Sequence, residues 1–90
     1  MAEGNKEASQ RWRGQVRDVL NTVWDPIGGC PEDEYDSYVG KIASLVREGR
    51  PDRELLAYLE WAETVNMGMR GDADRRQKTV ATVRAIGPPP

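Results

Sequence analysis

Five carboxylates fall within residues 25–36 of this 90-residue chain (Asp25, Glu32, Asp33, Glu34 and Asp36), with no basic residue among them. Oxygen donors at that density suggest a hard cation such as calcium, which takes roughly six to eight oxygen ligands. The spacing does not fit. A calcium loop sets Asp or Asn at alternate positions ahead of a glycine. Here Asp25 is followed by Pro26-Ile27-Gly28, and its acidic companions begin only seven residues on. No metal site and no cofactor are expected. The chain has no histidine, and Cys30 is its single cysteine. Ser-His and Cys-His nucleophile pairs, His-ligated zinc and an internal disulfide are thereby excluded together. The sequence neighbours of Cys30 are acidic, which disfavours a thiolate. Glu63 with Asp25 or Glu60 is the remaining acid–base combination, and no substrate pocket is signalled beside it. The expectation is a protein that is not an enzyme.

The elements that would position these residues are helices. Trp12, Val16, Val19, Leu20 and Val23 recur at spacings of three and four, one stripe of a helix over about 6–24. Pro26 biases Asp25 away from helical geometry and ends it. Tyr35, Tyr38, Val39, Ile42, Leu45 and Val46 fill one arc of a second helix over 34–48, stopped by Gly49. Asp52 is the expected N-cap of a third, over 52–67, whose broad apolar arc predicts a central place with more than one neighbour. A fourth, over 73–86, aligns only Ala73, Val80 and Val83 and is expected at the periphery. No strand pattern or internal repeat is present. The fold class is therefore all-α, a compact four-helix bundle with the third helix central, one domain over 1–87 and a proline tail over 88–90.

Within that frame the acidic stretch divides in two. Asp25, set before a proline, is placed to accept from the Ile27 or Gly28 amide, while Trp24 and Ile27 would plug the loop into the core. Trp24, Asp25, Pro26, Ile27 and Gly28 thus read as a structural plug. Glu63 belongs with them: it lies at the edge of the apolar arc of the third helix, where a carboxylate needs partners because burying it alone is costly. Amides of the 24–29 loop or an arginine would supply them. Glu32, Asp33, Glu34 and Asp36 would start the second helix and present charge outward. Beside them, Tyr35, Tyr38 and Trp61 are candidate aromatic anchors of a partner surface.

Composition narrows the partners. Hydrophobic residues at 38% and charged residues at 31% belong to a folded globular chain. No apolar run spans a membrane, and the first residues lack the apolar core of a secretory signal, so the cytoplasm is the expected location. A net charge of −2 argues against general binding to a phosphate backbone. Arg11, Arg13 and Arg17 gather in the first helix, and Arg70, Arg75, Arg76, Lys78 and Arg84 near the end of the chain. Such polarity can orient a small protein toward a charged partner.

The order Trp-Asp-Pro-Ile-Gly at 24–28, Asp-Glu-Tyr-Asp-x-Tyr at 33–38 and L-x-x-L-x-W-x-E-T-x-x-M-G at 56–68 resembles a family of small all-helical bacterial proteins of unknown function, some similar to immunity proteins encoded beside toxins. The resemblance covers about residues 16–69. Gly29-Cys30-Pro31, Gly40 and the Arg-rich C-terminal segment depart from it. It implies a helical fold in which the loop, the start of the second helix and the Glu63–Gly68 end of the third form one unit; it carries no settled activity.

The reading is a non-catalytic protein-interaction module, of which toxin neutralisation and regulation are specific forms. Its partner would be another protein carrying a basic surface, and a homodimer is compatible with so many aromatics on so small a core. The alternatives are a carboxylate-based metal protein or small enzyme, and a nucleic-acid binder acting through the Arg-rich fourth helix.

Overall fold

The computed structural model describes residues 2–29, 31 and 33–90, with the side chains of residues 2–5 left aside. Cys30 and Glu32, the latter a proposed partner contact, lie outside the described residues. Helix α1 runs Ala2–Val19 and continues as a wider π-helical turn, Leu20–Trp24. That turn is closed by the Asp25 amide donating to the Leu20 carbonyl at 2.8 Å, five residues back. Single π turns of this kind concentrate where a helix meets a functional or strained segment. Asp25 then takes a left-handed conformation, φ 31° and ψ 60°, and the chain leaves the helix toward Pro26.

Helix α2 (Asp36–Arg47) begins later than its apolar pattern suggests, because residues 33–35 form a turn. The Glu34 amide donates to the Pro31 carbonyl and the Asp36 amide to that of Asp33, both at 3.1 Å. Tyr35 therefore sits at the N-cap position. The helix closes as the sequence predicts. Gly49 turns left-handed (φ 71°), its amide reaches the Val46 carbonyl, and the Arg50 amide reaches that of Leu45, both at 3.0 Å. This is the Schellman arrangement that satisfies the last carbonyls of a helix.

Helix α3 (Asp52–Trp61) also ends in a π turn, Ala62–Asn66, closed by the Met67 amide on the Ala62 carbonyl at 2.9 Å. Pro51, not Asp52, holds its N-cap position. Asp52 is instead its first residue, and its carboxylate accepts from Arg84 Nε at 2.7 Å. Helix α4 (Ala73–Ile86) is capped by Asp72, whose side chain accepts the Arg75 amide at 3.0 Å.

The four helices form an all-α bundle, and no strand occurs among the described residues. The radius of gyration, 12.9 Å, is close to the ~12 Å expected of a folded chain this long. The third helix has neighbours on two sides, α2 and α4, and the Trp12–Val16–Leu20–Trp24 stripe of α1 and its π turn lies in the shared core.

The peripheral place expected of the fourth helix is corrected. α4 packs on α1, on the turn that ends it and on α3, and Thr79, Val80 and Val83 are buried. Helical-wheel reading missed Thr79 because it is polar. Its hydroxyl donates to the Arg75 carbonyl at 2.8 Å, which removes the desolvation cost and lets the rest of the residue enter the core. The end of α4 is also fastened: Trp12 Nε1 donates to the Gly87 carbonyl at 2.8 Å, and Arg84 Nη2 to the Arg50 carbonyl at 2.6 Å.

Candidate functional site

Glu63 lies in the π turn that ends α3, and its side chain reaches Trp24, the last residue of the π turn of α1. The glutamate is 1% exposed. One carboxylate oxygen, Oε2, accepts from Trp24 Nε1 at 2.7 Å. The other, Oε1, accepts from Arg76 Nη1 at 2.7 Å and from the Asp72 amide at 3.1 Å. Arg76 also approaches Glu60 at 3.6 Å. A buried charge is tolerable only when paired and hydrogen-bonded, and this one is. The network ties the end of α1, the end of α3 and the start of α4 together. Gly71 is part of the same fit: a Cβ there would come within 2.7 Å of Arg76 Nη1 and 3.4 Å of Glu63 Oε1.

The loop that follows Trp24 is organised by Asp25. Its Oδ1 accepts from the Gly28 amide at 3.1 Å and from the Tyr35 hydroxyl at 2.9 Å. That hydroxyl in turn accepts from the Ile27 amide at 3.0 Å. Asp25 also holds a positive φ, a conformation its short polar side chain tolerates when bonded locally. Asp25→Ala removes both bonds and leaves the positive φ without them. It is expected to lower stability by about 1–2 kcal/mol, measured by urea unfolding, whereas Asp25→Asn keeps most of the loss away. An unchanged midpoint for the alanine variant would refute the organising role.

Two expected placements are corrected here. Tyr35 and Tyr38, proposed as surface anchors, are buried. The early turn puts Tyr35 beneath the loop, where its ring lies 5.2 Å from Trp24; Tyr38 meets Trp24 edge-on at 5.5 Å. Ile27, proposed to plug the core, is 41% exposed instead, because Tyr35 and Trp24 already fill the space beneath the loop. Pro26 is half-buried and Gly28 exposed, with φ 75°.

The acidic residues do not act together. Asp36 forms a bidentate pair with Arg17, at 2.9 Å and 3.1 Å. Asp33 and Glu34 are exposed and have no ion pair among the described residues. No group of three potential metal ligands comes together among those residues either. The arginines of α4 are largely engaged within the fold: Arg76 by Glu63, Arg84 by Asp52, and Arg75 by Asp72 at 3.8 Å and the Asp25 carbonyl at 3.4 Å.

Trp61 remains at the surface, 45% exposed, stacked on Tyr58 at 5.9 Å with 21° between the rings. Tyr58 lies 6.2 Å from Tyr38, so an aromatic chain runs from buried Trp24 to exposed Trp61. Val65, one turn beyond Trp61, is 70% exposed. On the other side of Tyr38 is a groove of about 420 Å³ lined by Ile27, Glu34, Tyr38, Asn66, Met67 and Met69. The Tyr38 hydroxyl accepts from Asn66 Nδ2 at 2.6 Å, a bond between two residues of that lining.

Burial, and next to it the neighbouring Tyr38 phenol, pushes the Tyr58 hydroxyl above the usual phenol value of 10.0. A raised value keeps the neutral form longer in the folded chain. The associated stability is present below pH 10 and lost as pH rises through the folded-state value. The difference between wild-type and Tyr58→Phe absorbance titrations should therefore have its midpoint above pH 10. A midpoint at or below 10 would contradict the burial of this ring.

Among the described residues no helix is long and apolar enough to cross a membrane. No family model, curated protein or solved structure matches the chain.

Proposed function

We propose that this protein is a non-catalytic interaction module that binds another protein through the apolar surface formed by Trp61, Val65, Met69 and Ile27, with Asp33 and Glu34 beside it. One observation carries the reading. These four large apolar side chains are exposed, while Trp24, Tyr35 and Tyr38 are buried. Single exposed apolar residues are ordinary, whereas such pairs, Ile27 and Met69 along the groove and Trp61 and Val65 one turn apart, mark a contact surface. Tryptophan is the residue type most enriched among binding hot spots, and the stack on Tyr58 holds Trp61 in a fixed orientation before binding. The partner is expected to be basic, since acidic side chains beside an apolar centre steer cationic surfaces to it. Such a protein acts by covering its partner. Toxin neutralisation or regulation would both be served by that action, and the first rests on the family resemblance alone. The cytoplasm is the compartment proposed for it.

The test is recovery of a partner on the tagged protein in its native host, compared between wild type and Trp61→Ser/Val65→Ser. Both positions are exposed, so the fold should survive with little change in Tm. Partner recovery should fall by about tenfold or more, the loss of a hot-spot residue. Equal recovery on both proteins would overturn the assignment of this surface.

A further inference from the structure

Helix α4 is joined to the bundle differently from the other three. It supplies two of the sixteen buried apolar residues among those described, Val80 and Val83. The others lie on α1, α2, α3, the two π turns and the turn before α2. α4 is fastened largely through polar groups. Arg76 reaches Glu63 at 2.7 Å, and Arg84 reaches Asp52 at 2.7 Å and the Arg50 carbonyl at 2.6 Å. Arg75 reaches the Asp25 carbonyl at 3.4 Å, and the Gly87 carbonyl accepts from Trp12 Nε1 at 2.8 Å.

The remaining helices hold one another without it. α2 packs on α1 and α3 and is not a neighbour of α4 among the described residues. Arg17 of α1 pairs with Asp36 of α2, Trp24 donates to Glu63, and the Tyr38 hydroxyl accepts from Asn66. The rings of Tyr35, Trp24, Tyr38 and Tyr58 pack in series through the same part of the fold. When α4 swings away, the Trp24–Glu63 bond can stay, and water reaches both Glu63 and Arg76. Neither charge is left buried, so the penalty of a half-broken buried pair does not arise. The side chains of Asp52 and Glu60 are already 62% and 61% exposed, and water replaces their arginines at small cost. What opening gives up is chiefly the apolar contact of Val80, Val83 and half-buried Ile86.

The segment before α4 has the character of a hinge. Residues 67–72 lie outside any helix, and all but Met67 are exposed. The Met69 amide is tied back to the Glu63 carbonyl at 2.8 Å, which sets the pivot at residues 70–72.

From these observations we infer that α4 is a clasp: it opens as one unit about residues 70–72 while α1, α2 and α3 stay folded, uncovering Trp12. Its two ends are tied separately, by Arg76 at one and by Arg84 and Gly87 at the other, so it leaves whole rather than peeling from one end. Proteins open in such units at free energies below that of global unfolding. Trp12 is 4% exposed with the clasp closed, and its indole hydrogen is held by Gly87, so that hydrogen reports opening. The device is independent of the Trp61 surface, which is exposed with the clasp closed.

The test is hydrogen–deuterium exchange of the full chain, read by NMR, in wild type and in Ile42→Val. Ile42 is 1% exposed and lies in α2, away from α4. In wild type the Val80 and Val83 amides and the Trp12 indole should share one opening constant. It should be about tenfold or more above that of the Leu45 amide in α2. Ile42→Val should raise opening at Leu45 about fivefold, the equilibrium counterpart of trimming a buried isoleucine, and leave α4 and Trp12 unchanged. An opening constant for α4 no larger than that of Leu45 overturns the proposal, because α4 then opens only with the whole chain. A fivefold rise at Val83 in Ile42→Val also overturns it, since α2 would belong to the same unit. Constants graded along α4, largest at Ala85 and equal to that of Leu45 at Val80, would be end fraying and would overturn it as well.

Discussion

Glu63→Ala should lower stability by about 3 kcal/mol, the lower part of the range for breaking one side of a buried ion pair. The loss has three sources. Arg76 keeps its charge in a site where its side chain is only 12% exposed, Trp24 Nε1 loses its acceptor, and the Asp72 amide loses its own. Arg76 can still turn toward Glu60, 3.6 Å away, which holds the cost at that lower end. In a domain this size 3 kcal/mol corresponds to a fall in Tm of roughly 12–24 °C. Glu63→Gln keeps an acceptor for the indole and should lose less. The pair is shielded from solvent, so the difference between variants should persist in high salt. Glu63→Met combined with Arg76→Leu removes both charges, and should be more stable than Glu63→Ala alone, since it leaves no unpaired buried ion. A Tm drop under about 4 °C for Glu63→Ala, or a double variant less stable than the single, would show that this network does not hold the bundle together.

Trp24→Ala should cost about 3–5 kcal/mol, the usual range for deleting a large buried aromatic. Its ring fills the space between Tyr35, Tyr38 and the end of α1, and it is completely buried. Trp24→Phe separates packing from hydrogen bonding. The aromatic contacts largely remain, but Glu63 Oε2 loses its donor, which should cost about 1–3 kcal/mol. Chemical unfolding of both variants gives the two numbers. If Trp24→Phe were as damaging as Trp24→Ala, the indole N–H would outweigh the ring, and the role assigned to aromatic packing would be wrong. Coupling between Trp24→Phe and Glu63→Gln should be measurable, because the two residues share one bond.

The helices were legible because apolar spacing is set by backbone geometry, and α1 to α3 keep that spacing plainly. Glu63 was legible as a question: a carboxylate on an apolar arc requires partners, though the pattern does not name them. Arg76 was not legible, because it reaches Glu63 only after the chain turns through residues 67–72, which no helical wheel describes. Thr79 escaped notice for a related reason, since its hydroxyl is satisfied within its own helix and only the remainder of the residue counts for packing. Tyr35 and Tyr38 were assigned to the right neighbourhood and the wrong side of it. Helical spacing set both on the apolar arc; the surface assignment came from weighing so many aromatics against so small a core, and that core covers both because they pack around Trp24. The displaced residue was Ile27, so the exposed apolar surface moved from the start of α2 to the groove edge.

The close fit of Gly71 against Arg76 and Glu63 has a consequence for how this chain can diverge. Positions 63, 71 and 76 are coupled: a side chain at 71 has to displace the Arg76 guanidinium from its place against Glu63, and loss of either charge leaves the other buried. Descendants of this sequence should keep Glu, Gly and Arg at these three sites together, or lose the charged pair as a unit and only then admit a larger residue at 71. That three-way linkage would serve as a signature for relatives whose overall identity has faded, since it follows from volume and charge at one buried point and needs no resemblance elsewhere.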